Sequence, residues 1–273
     1  MSLPILSVST DPRPADLVRF YHRTELHWSR HLGEETTLDV GTAIANPDLP
    51  SVADANVVLD ATLAEGTSAA DAIAEVESHF AAQRARCAKW VFAAGQAESR
   101  IKPLVDRLVA DGYSRRAHNI LHLSKQPAGT ITEVAGLKII PARASYRHAR
   151  ALADEWAVEC GEGQLADAMM LHLDDPHTDA LVALRDGRAV AQVSVLSVGD
   201  LGCVEDLFVS AAFRRQGVGR TMMGRAMEIC ARSLFKHVFV GAPDDNAAAQ
   251  ALYGRFGFRK VGEYVSYVSA HAS

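Results

Sequence analysis

The chain has 273 residues, of which 48% are hydrophobic and 22% are charged, and its formal net charge is −5. These values are typical of a globular protein with two domains of ordinary size or one large domain. No apolar run is long enough to span a membrane, and no basic stripe runs along the chain. We therefore expect no membrane and no nucleic-acid partner. The first four residues lack the charge and the apolar core of a signal peptide, which favours a cytoplasmic location.

The first half of the chain, residues 1–126, is predicted to form one domain of helices and strands. Apolar residues recur at helical spacing in residues 12–32, 68–86 and 103–110. Short runs rich in β-branched and aromatic residues predict strands at residues 55–62, 89–94 and 113–123. Residues 33–54 are rich in Gly, Asn, Pro and Asp and predict mostly loop. Residues 127–136, which are small, polar and interrupted by Gly, predict a linker.

The second half, residues 137–273, is predicted to form a second domain. Its apolar patterns predict elements in the order β-α-α-β-β-β-α-β-α-β, which indicates an α+β fold. Asp186-Gly187 stands between two strand patterns and predicts a tight hairpin. Near the middle of this half, the apolar run of residues 204–209 leads into a short turn and then into a long helical pattern.

That turn is basic and contains two glycines, in the sequence Arg214-Arg215-Gln216-Gly217-Val218-Gly219. The first backbone N–H groups of a helix have no partner within it, and the helix dipole is positive at that end. Gly217 and Gly219 leave room for an anion to approach these amides, and Arg220 adds further positive charge. The spacing matches neither G-x-x-x-x-G-K-[ST] nor G-x-G-x-x-G. The turn therefore predicts a cradle for a phosphorylated ligand of another kind.

The motif R-x-x-G-x-G in this turn resembles the pyrophosphate loop of the GNAT superfamily of acyl-CoA N-acyltransferases. A second stretch, residues 246–258 with the sequence NAAAQALYGRFGF, resembles the N-x-x-A-x-x-L-Y-x-x-x-G-F signature of the same superfamily. The two motifs follow in the family's order with a predicted strand between them. By this resemblance, residues 137–268 are identified as a GNAT domain, in which a mixed central sheet is flanked by helices.

The resemblance implies acetyl-CoA as the acyl-donor substrate and no metal. In the family, the strand before the cradle separates from its neighbour, and its backbone pairs with the pantetheine arm of the cofactor. Carried over residue by residue, the implied cofactor-binding set is Leu207, Phe208, Val209, Arg214, Arg215, Gln216, Gly217, Val218, Gly219, Arg220 and Asn246.

Acyl transfer from a thioester to an amine needs a base for the amine, a donor for the developing oxyanion and a proton donor for the thiolate. Tyr253 suits the last role, and the backbone N–H of Leu207 is a candidate oxyanion donor. Glu205 is the candidate base, and strand alternation predicts that its side chain shares a face with that of Leu207. Plainer interpretations stay open, because Tyr253 can simply pack its helix, Asn246 can simply cap one, and a strand-end carboxylate is often solvated.

The two halves resemble each other in sequence pattern. The offset is 148 residues between Trp90 and Val238, which lie in similar strands, and 145 residues between Gly112 and Gly257, which follow similar helices. The first half has Glu65-Gly66-Thr67-Ser68-Ala69-Ala70 where the second half has its cradle. We therefore predict a degenerate GNAT-like first domain that does not bind the cofactor.

The predicted function is transfer of the acetyl group of acetyl-CoA directly to a primary amine. The acceptor is expected to be a small-molecule or peptide amine, and either a monomer or a homodimer is compatible with the sequence. Two alternatives stay open, namely a CoA-binding sensor or scaffold with little turnover and a transferase for a longer acyl group. Glu155, Glu159 and Glu162 lie where family members often contact their substrate, although a solvated helix face explains them as well.

Overall fold

A computed structural model describes residues 12–124 and 134–270 of the chain. Residues 127–133 of the predicted linker lie outside the described residues, so the division into domains at 126 and 137 stays a prediction. None of the described helices has both the length and the apolar character needed to cross a membrane.

The described helices are α1 (Pro14–Arg30), α2 (Ala69–Ala82), α3 (Glu98–Ala110), α4 (Tyr146–Cys160), α5 (Leu165–Asp174), α6 (Val218–Ser233) and α7 (Ala247–Arg255). The described strands are β1 (Glu34–Leu38), β2 (Gly41–Ala45), β3 (Val57–Ala61), β4 (Lys89–Phe92), β5 (Tyr113–Leu123), β6 (Lys138–Pro141), β7 (Thr178–Arg185), β8 (Arg188–Val198), β9 (Leu201–Val209), β10 (His237–Pro243) and β11 (Phe258–Ser269). The order predicted for the second half is confirmed.

These strands form one mixed sheet in the order β1-β2-β3-β4-β11-β5-β10-β9-β8-β7-β6. The last strand of each half pairs with the other half, since β11 lies beside β4 and β5 lies beside β10. At the centre, β5 and β11 pair antiparallel from Leu123–Phe258 to Tyr113–Ser269. The two halves are therefore joined by exchanged strands, and β10 has a strand of the first half, β5, on one side and β9 on the other.

Alternate residues of the strands face opposite layers of helices. Trp90 packs in a cluster with residues of α2 and α3, whereas its neighbour Val91 packs with α1. Likewise Val240 packs with α6 and α7, and Phe239 packs with α1. Helices α4 and α5 lie on the same face as α1. One face of the sheet thus carries α1, α4 and α5, and the other carries α2, α3, α6 and α7.

Helix α1 belongs to the first half but also contacts the second half. His27 on α1 and His177, which precedes β7, hydrogen-bond the carboxylate of Asp175 at 2.9 and 3.0 Å. The Asp175 side chain is only 3% exposed. These three side chains are the one potential metal-ligand group found in the described part of the chain. Their hydrogen bonds fasten α1 against the loop between α5 and β7.

Three local predictions were wrong. Residues 33–54 contain the β1–β2 hairpin, which periodicity missed because β1 is a polar, largely exposed edge strand beginning Glu34-Glu35-Thr36-Thr37. Helix α3 begins at Glu98 rather than at residue 103, with Pro103 inside the helix. Strand β11 begins at Phe258, well before the predicted residue 263, because its first residues pair with β5.

Candidate active site

Strands β9 and β10 separate part-way along their length. Their parallel pairing runs from Leu201–His237 to Val204–Val240, but β9 continues to Val209 and β10 to Pro243. Beyond Val204, β10 no longer pairs with the edge of β9 that faces it. An extended ligand with amide groups can pair with such an edge as an added strand does. The separation that the family resemblance implied is therefore present.

A β-bulge lies at the point of separation. The register between β8 and β9 shifts between Gln192 and Ser194, and Asp206 takes a left-handed backbone conformation with φ of +53°. Because the bulge interrupts the alternation, Leu207 packs with the α6–α7 cluster. Cys203, two residues before Glu205, packs on the opposite face with α1. The prediction that Glu205 and Leu207 share a face was wrong for this reason.

The turn before α6 presents a row of unpaired amides. Gly217 occupies the N-cap position with φ of +85°, has no side chain to cap the helix, and is followed by no acidic residue in the first turn. The first helical bond runs from the N–H of Thr221 to the carbonyl of Gly217. The six N–H groups of residues 215–220 donate no hydrogen bond to residues 12–124 or 134–270. This arrangement suits an anion with several acceptor oxygens.

The space above these amides is open at the second glycine. A Cβ added at Gly219 would lie 3.5 Å from Val209, an ordinary van der Waals contact, so the fold itself does not require glycine there. The lack of a side chain at Gly219 leaves space above the amides that a ligand can occupy. Arg215 and Arg220 are exposed beside it and form no ion pair with the described residues.

Arg214 and Gln216 are engaged in contacts within the protein. The Arg214 guanidinium lies 2.5 and 2.7 Å from the carboxylate oxygens of Glu159 and donates to the carbonyl of Val209 at 2.8 Å. The Gln216 side chain accepts a hydrogen bond from Arg185 at 3.0 Å. Both side chains therefore brace the turn, and their assignment as direct cofactor ligands stays a prediction.

Glu155 and Glu159 on α4 also support the turn, a role that sequence reasoning missed. Ser210, directly after β9, donates to Glu155 at 2.7 Å, and Glu159 binds Arg214. The sequence carried no local signal for this contact, because α4 and the turn lie more than 50 residues apart.

The second motif places Asn246 and Tyr253 on α7. Asn246 caps this helix by accepting a hydrogen bond from the N–H of Ala249 at 3.0 Å. Tyr253 is 6% exposed and packs near Phe258 and Val240 on the α6–α7 face of the sheet. Burial, followed by the negative charge of Glu205, raises the pKa of Tyr253 above its usual value. The phenol therefore stays protonated and able to donate a hydrogen bond.

Glu205 lies half-buried on the α1 side of the separation. Burial raises the pKa of Glu205 well above its usual range, and the nearby carboxyl of Glu25 on α1 raises it further. A carboxylate with a raised pKa is a stronger base than an ordinary one. Glu205 and Tyr253 thus lie at the gap, meaning the space where β9 and β10 separate beyond Val204, one toward each face of the sheet.

Helix α1 also reaches this gap through Tyr21. The hydroxyl of Tyr21 lies 3.0 Å from Nε2 of His118 on β5. A Cβ added at Gly241 on β10 would lie only 2.6 Å from that hydroxyl, so only glycine permits this approach. Tyr21 and Glu25 did not emerge from the sequence as site residues, because helical periodicity does not reveal which partner a helix face contacts.

Together these groups define the class of ligand. An uncapped helix start with exposed arginines suits a pyrophosphate, an unpaired strand edge suits an amide-bearing arm, and a buried phenol suits a thioester sulfur. The donor set therefore fits acetyl-CoA, and it lies on an α+β fold with a mixed central sheet.

Comparison with known proteins agrees with this class. Residues 146–258 match the acetyltransferase (GNAT) family. A stretch of 117 residues is 29% identical to N-acetyltransferase family 8 member 3 of Rattus norvegicus, covering 41% of this chain and 51% of the relative. The match thus spans about half the length of that relative.

Two solved structures share the wider architecture. A GCN5-related N-acetyltransferase from Kribbella flavida superposes with a TM-score of 0.62 at 16% identity, covering 92% of this chain and 95% of its own. A tandem GNAT protein from the clavulanic acid biosynthesis pathway gives 0.51 at 15% identity, covering 72% and 68%. At these identities the likeness shows the fold. Residues 146–258 are therefore similar to the GNAT acetyltransferase family, and the described chain shares the fold of these solved GNAT structures.

Proposed function

We propose that the chain transfers the acetyl group of acetyl-CoA directly to a primary amine. The observation that carries this proposal is the row of unpaired amides at residues 215–220 beside the separation of β9 and β10. The match of residues 146–258 to the acetyltransferase (GNAT) family supports it. A cytoplasmic location, a small-molecule or peptide acceptor, and a monomeric or homodimeric state belong to the same proposal.

The amides of residues 215–220 would bind the pyrophosphate, with Arg215 and Arg220 adding positive charge. The free edge of β9 at Leu207, Phe208 and Val209 would pair with the pantetheine arm. Asn246, at the start of α7, would lie beside the arm, and the acetyl group would reach the gap near Tyr253.

The two faces of the gap divide the chemistry. The amine approaches from the α1 side, where Glu205 takes its proton directly or through water. The amine nitrogen then attacks the thioester carbon, and the backbone N–H of Leu207 donates to the developing oxyanion. The carbon–sulfur bond breaks as Tyr253 donates its proton to the departing sulfur, and the proton that the nitrogen still has to lose restores the Tyr253 phenol. The products are the amide and CoA, and Glu205 releases the proton that it took to solvent. No covalent enzyme intermediate is needed.

The reaction can be tested with acetyl-CoA and a panel of primary amines, with released CoA thiol as the readout. Acetylation of at least one amine, confirmed by a mass increase of one acetyl group, is the expected result. Tight acetyl-CoA binding without thiol release from any amine would favour the alternative of a CoA-binding sensor or scaffold. Faster transfer from a longer acyl-CoA than from acetyl-CoA would favour the alternative donor.

A further inference from the structure

The first half of the chain forms part of the wall on the α1 side of the gap. Tyr21 and Glu25 lie one helical turn apart on α1 and therefore share a face. Tyr21 fixes that face against β10 and β5 through its approach to Gly241 and its contact with His118. Glu25 is thereby held on the same side of the sheet as Glu205.

The charges around Glu25 and Glu205 do not balance. Lys89 is nearly buried, with 10% of its side chain exposed, and its ammonium lies 2.5 Å from the carboxylate of Asp54 and 5.3 Å from the centre of the Tyr264 ring. This lysine therefore pairs with Asp54, and its charge also acts against the rise in the pKa of Glu25, so one cation is shared between these two carboxyls. In the described part of the chain, neither Glu25 nor Glu205 forms an ion pair.

Two histidines lie near this wall: His22 on α1 is 3.6 Å from the carboxylate of Asp60, and His118 on β5 does not supply the missing charge. Burial, assisted by the charge of Lys89, lowers the pKa of His118 to about 4, so its ring is neutral at pH 7. Burial raises the pKa of Glu25 as well as that of Glu205. Glu25 and Glu205 are two neighbouring half-buried carboxyls, and the lysine near them is already paired with Asp54, so a further bound cation would stabilise their ionised forms.

We propose that the acceptor is an amine with a second positive charge, whose reacting nitrogen lies at Glu205 and whose second ammonium lies at Glu25 of the first half. This inference rests on the proposed acetyl transfer. It gives the first half a role in choosing the acceptor. It also means that a dicationic amine, on binding, displaces protons from the two carboxyls, because a nearby cation favours their ionised forms.

The test compares 1,4-diaminobutane with butylamine, which has the same chain length and one ammonium. Both are assayed with the wild-type protein, with Glu25→Gln and with the control Glu34→Gln, an exposed carboxylate on the edge strand β1. We expect the wild type to have a kcat/KM at least about tenfold higher for the diamine than for butylamine. Glu25→Gln should reduce that ratio to below about threefold, and Glu34→Gln should leave it unchanged.

An equal loss for both amines in Glu25→Gln would show a merely structural role and overturn the proposal, as would a wild type that does not prefer the diamine. If acetyl-CoA binds but neither amine is acetylated, the acetyl transfer itself fails, and calorimetry of 1,4-diaminobutane with the CoA-loaded protein decides the inference. Binding that releases protons and is lost in Glu25→Gln would support it. Undiminished binding in the variant, or no binding to the wild type, would overturn it.

Discussion

The two halves of the chain contain the same strand–turn–helix unit, but only one of them leaves its helix start uncapped. In the first half, the hydroxyl of Ser68 accepts a hydrogen bond from the N–H of Asp71 at 3.1 Å, and the Asp71 carboxylate accepts one from that hydroxyl at 2.7 Å. A carboxylate therefore already occupies the positive end of α2. In the second half, Gly217 begins α6 with neither a side-chain cap nor an acidic residue.

The strands that precede these two helices also differ, since they stay paired in the first half and separate in the second. Each half has an aspartate with positive φ on the strand before the turn, Asp60 at +51° and Asp206 at +53°. Beyond Asp60 the strands stay together, with Ala61 paired to Phe92 and its carbonyl accepting further bonds from the N–H of Ala93 and the side chain of Gln96. In the second half, by contrast, β9 and β10 are no longer paired beyond Val204 and stay apart at Asp206. The same strand–turn–helix arrangement thus gives a closed unit in the first half and, in the second half, an open unit with space for a ligand.

The largest expected effect concerns the open unit. Glu205→Gln should lower kcat by roughly 10²–10⁴-fold, the usual contribution of a general base. In the wild type, kcat/KM should rise with pH through the pKa of Glu205, which lies above that of an ordinary glutamate. The variant should lose this rise. Asp179→Asn, which removes an exposed carboxylate on β7, serves as the control and should keep both the rate and the profile.

A smaller effect is expected at the bulge that opens the strands. Burial raises the pKa of Asp206 to about 6. This pKa is above that of aspartate in the unfolded chain, about 3.9. The contribution of Asp206 to the free energy of unfolding is therefore fully present below pH 4 and is lost as the pH rises through 6. Asparagine tolerates positive φ and can still accept the hydrogen bond from Ser194. Asp206→Asn should therefore raise the free energy of unfolding at pH 8 by roughly 1–3 kcal/mol.

Urea denaturation of the wild type and of Asp206→Asn at pH 4 and pH 8 measures this difference. Little or no gain is expected at pH 4, where both side chains are neutral in the folded protein. An equal gain in the free energy of unfolding at both pH values would show that the charge of Asp206 does not destabilise the folded protein.

The smallest effect concerns the closed unit. Ser68→Ala removes the cap of α2 and should lower the free energy of unfolding by about 1 kcal/mol. It should create no acetyl-CoA site in the first half, because β3 and β4 remain paired at Ala61. Thermal unfolding measures the first expectation, and a binding stoichiometry that stays unchanged from the wild type measures the second.

Much of the second half could be predicted from the sequence because its signals are local. The Arg214–Gly219 turn and the residues 246–258 carry their conformation in adjacent residues, and helical spacing located α6 and α7. The exchange of β5 and β11 could not be predicted, since pairing between residues such as Leu123 and Phe258 is set by tertiary contacts. The bulge at Asp206 escaped for a related reason, as a single non-glycine residue with positive φ leaves no periodic trace.

The side chains that complete the site were missed for the same physical reason. Glu25 and Tyr21 lie far in sequence from Glu205, and their proximity depends on α1 crossing onto β10. Helical spacing identified the helix without indicating which of its faces meets the second half. Long-range packing, rather than local propensity, brings the residues on the α1 side of the candidate site together.

The most direct test of the difference between the halves is a calorimetric titration of acetyl-CoA into the wild-type protein, into Gly219→Leu and into Gly163→Leu. Gly219→Leu fills the space above the amides, whereas Gly163 lies in the loop between α4 and α5 with open space around it and serves as the control. We expect one acetyl-CoA per chain in the wild type and the control, and affinity at least about tenfold weaker in Gly219→Leu. Two molecules per chain, or undiminished affinity in Gly219→Leu, would contradict this expectation.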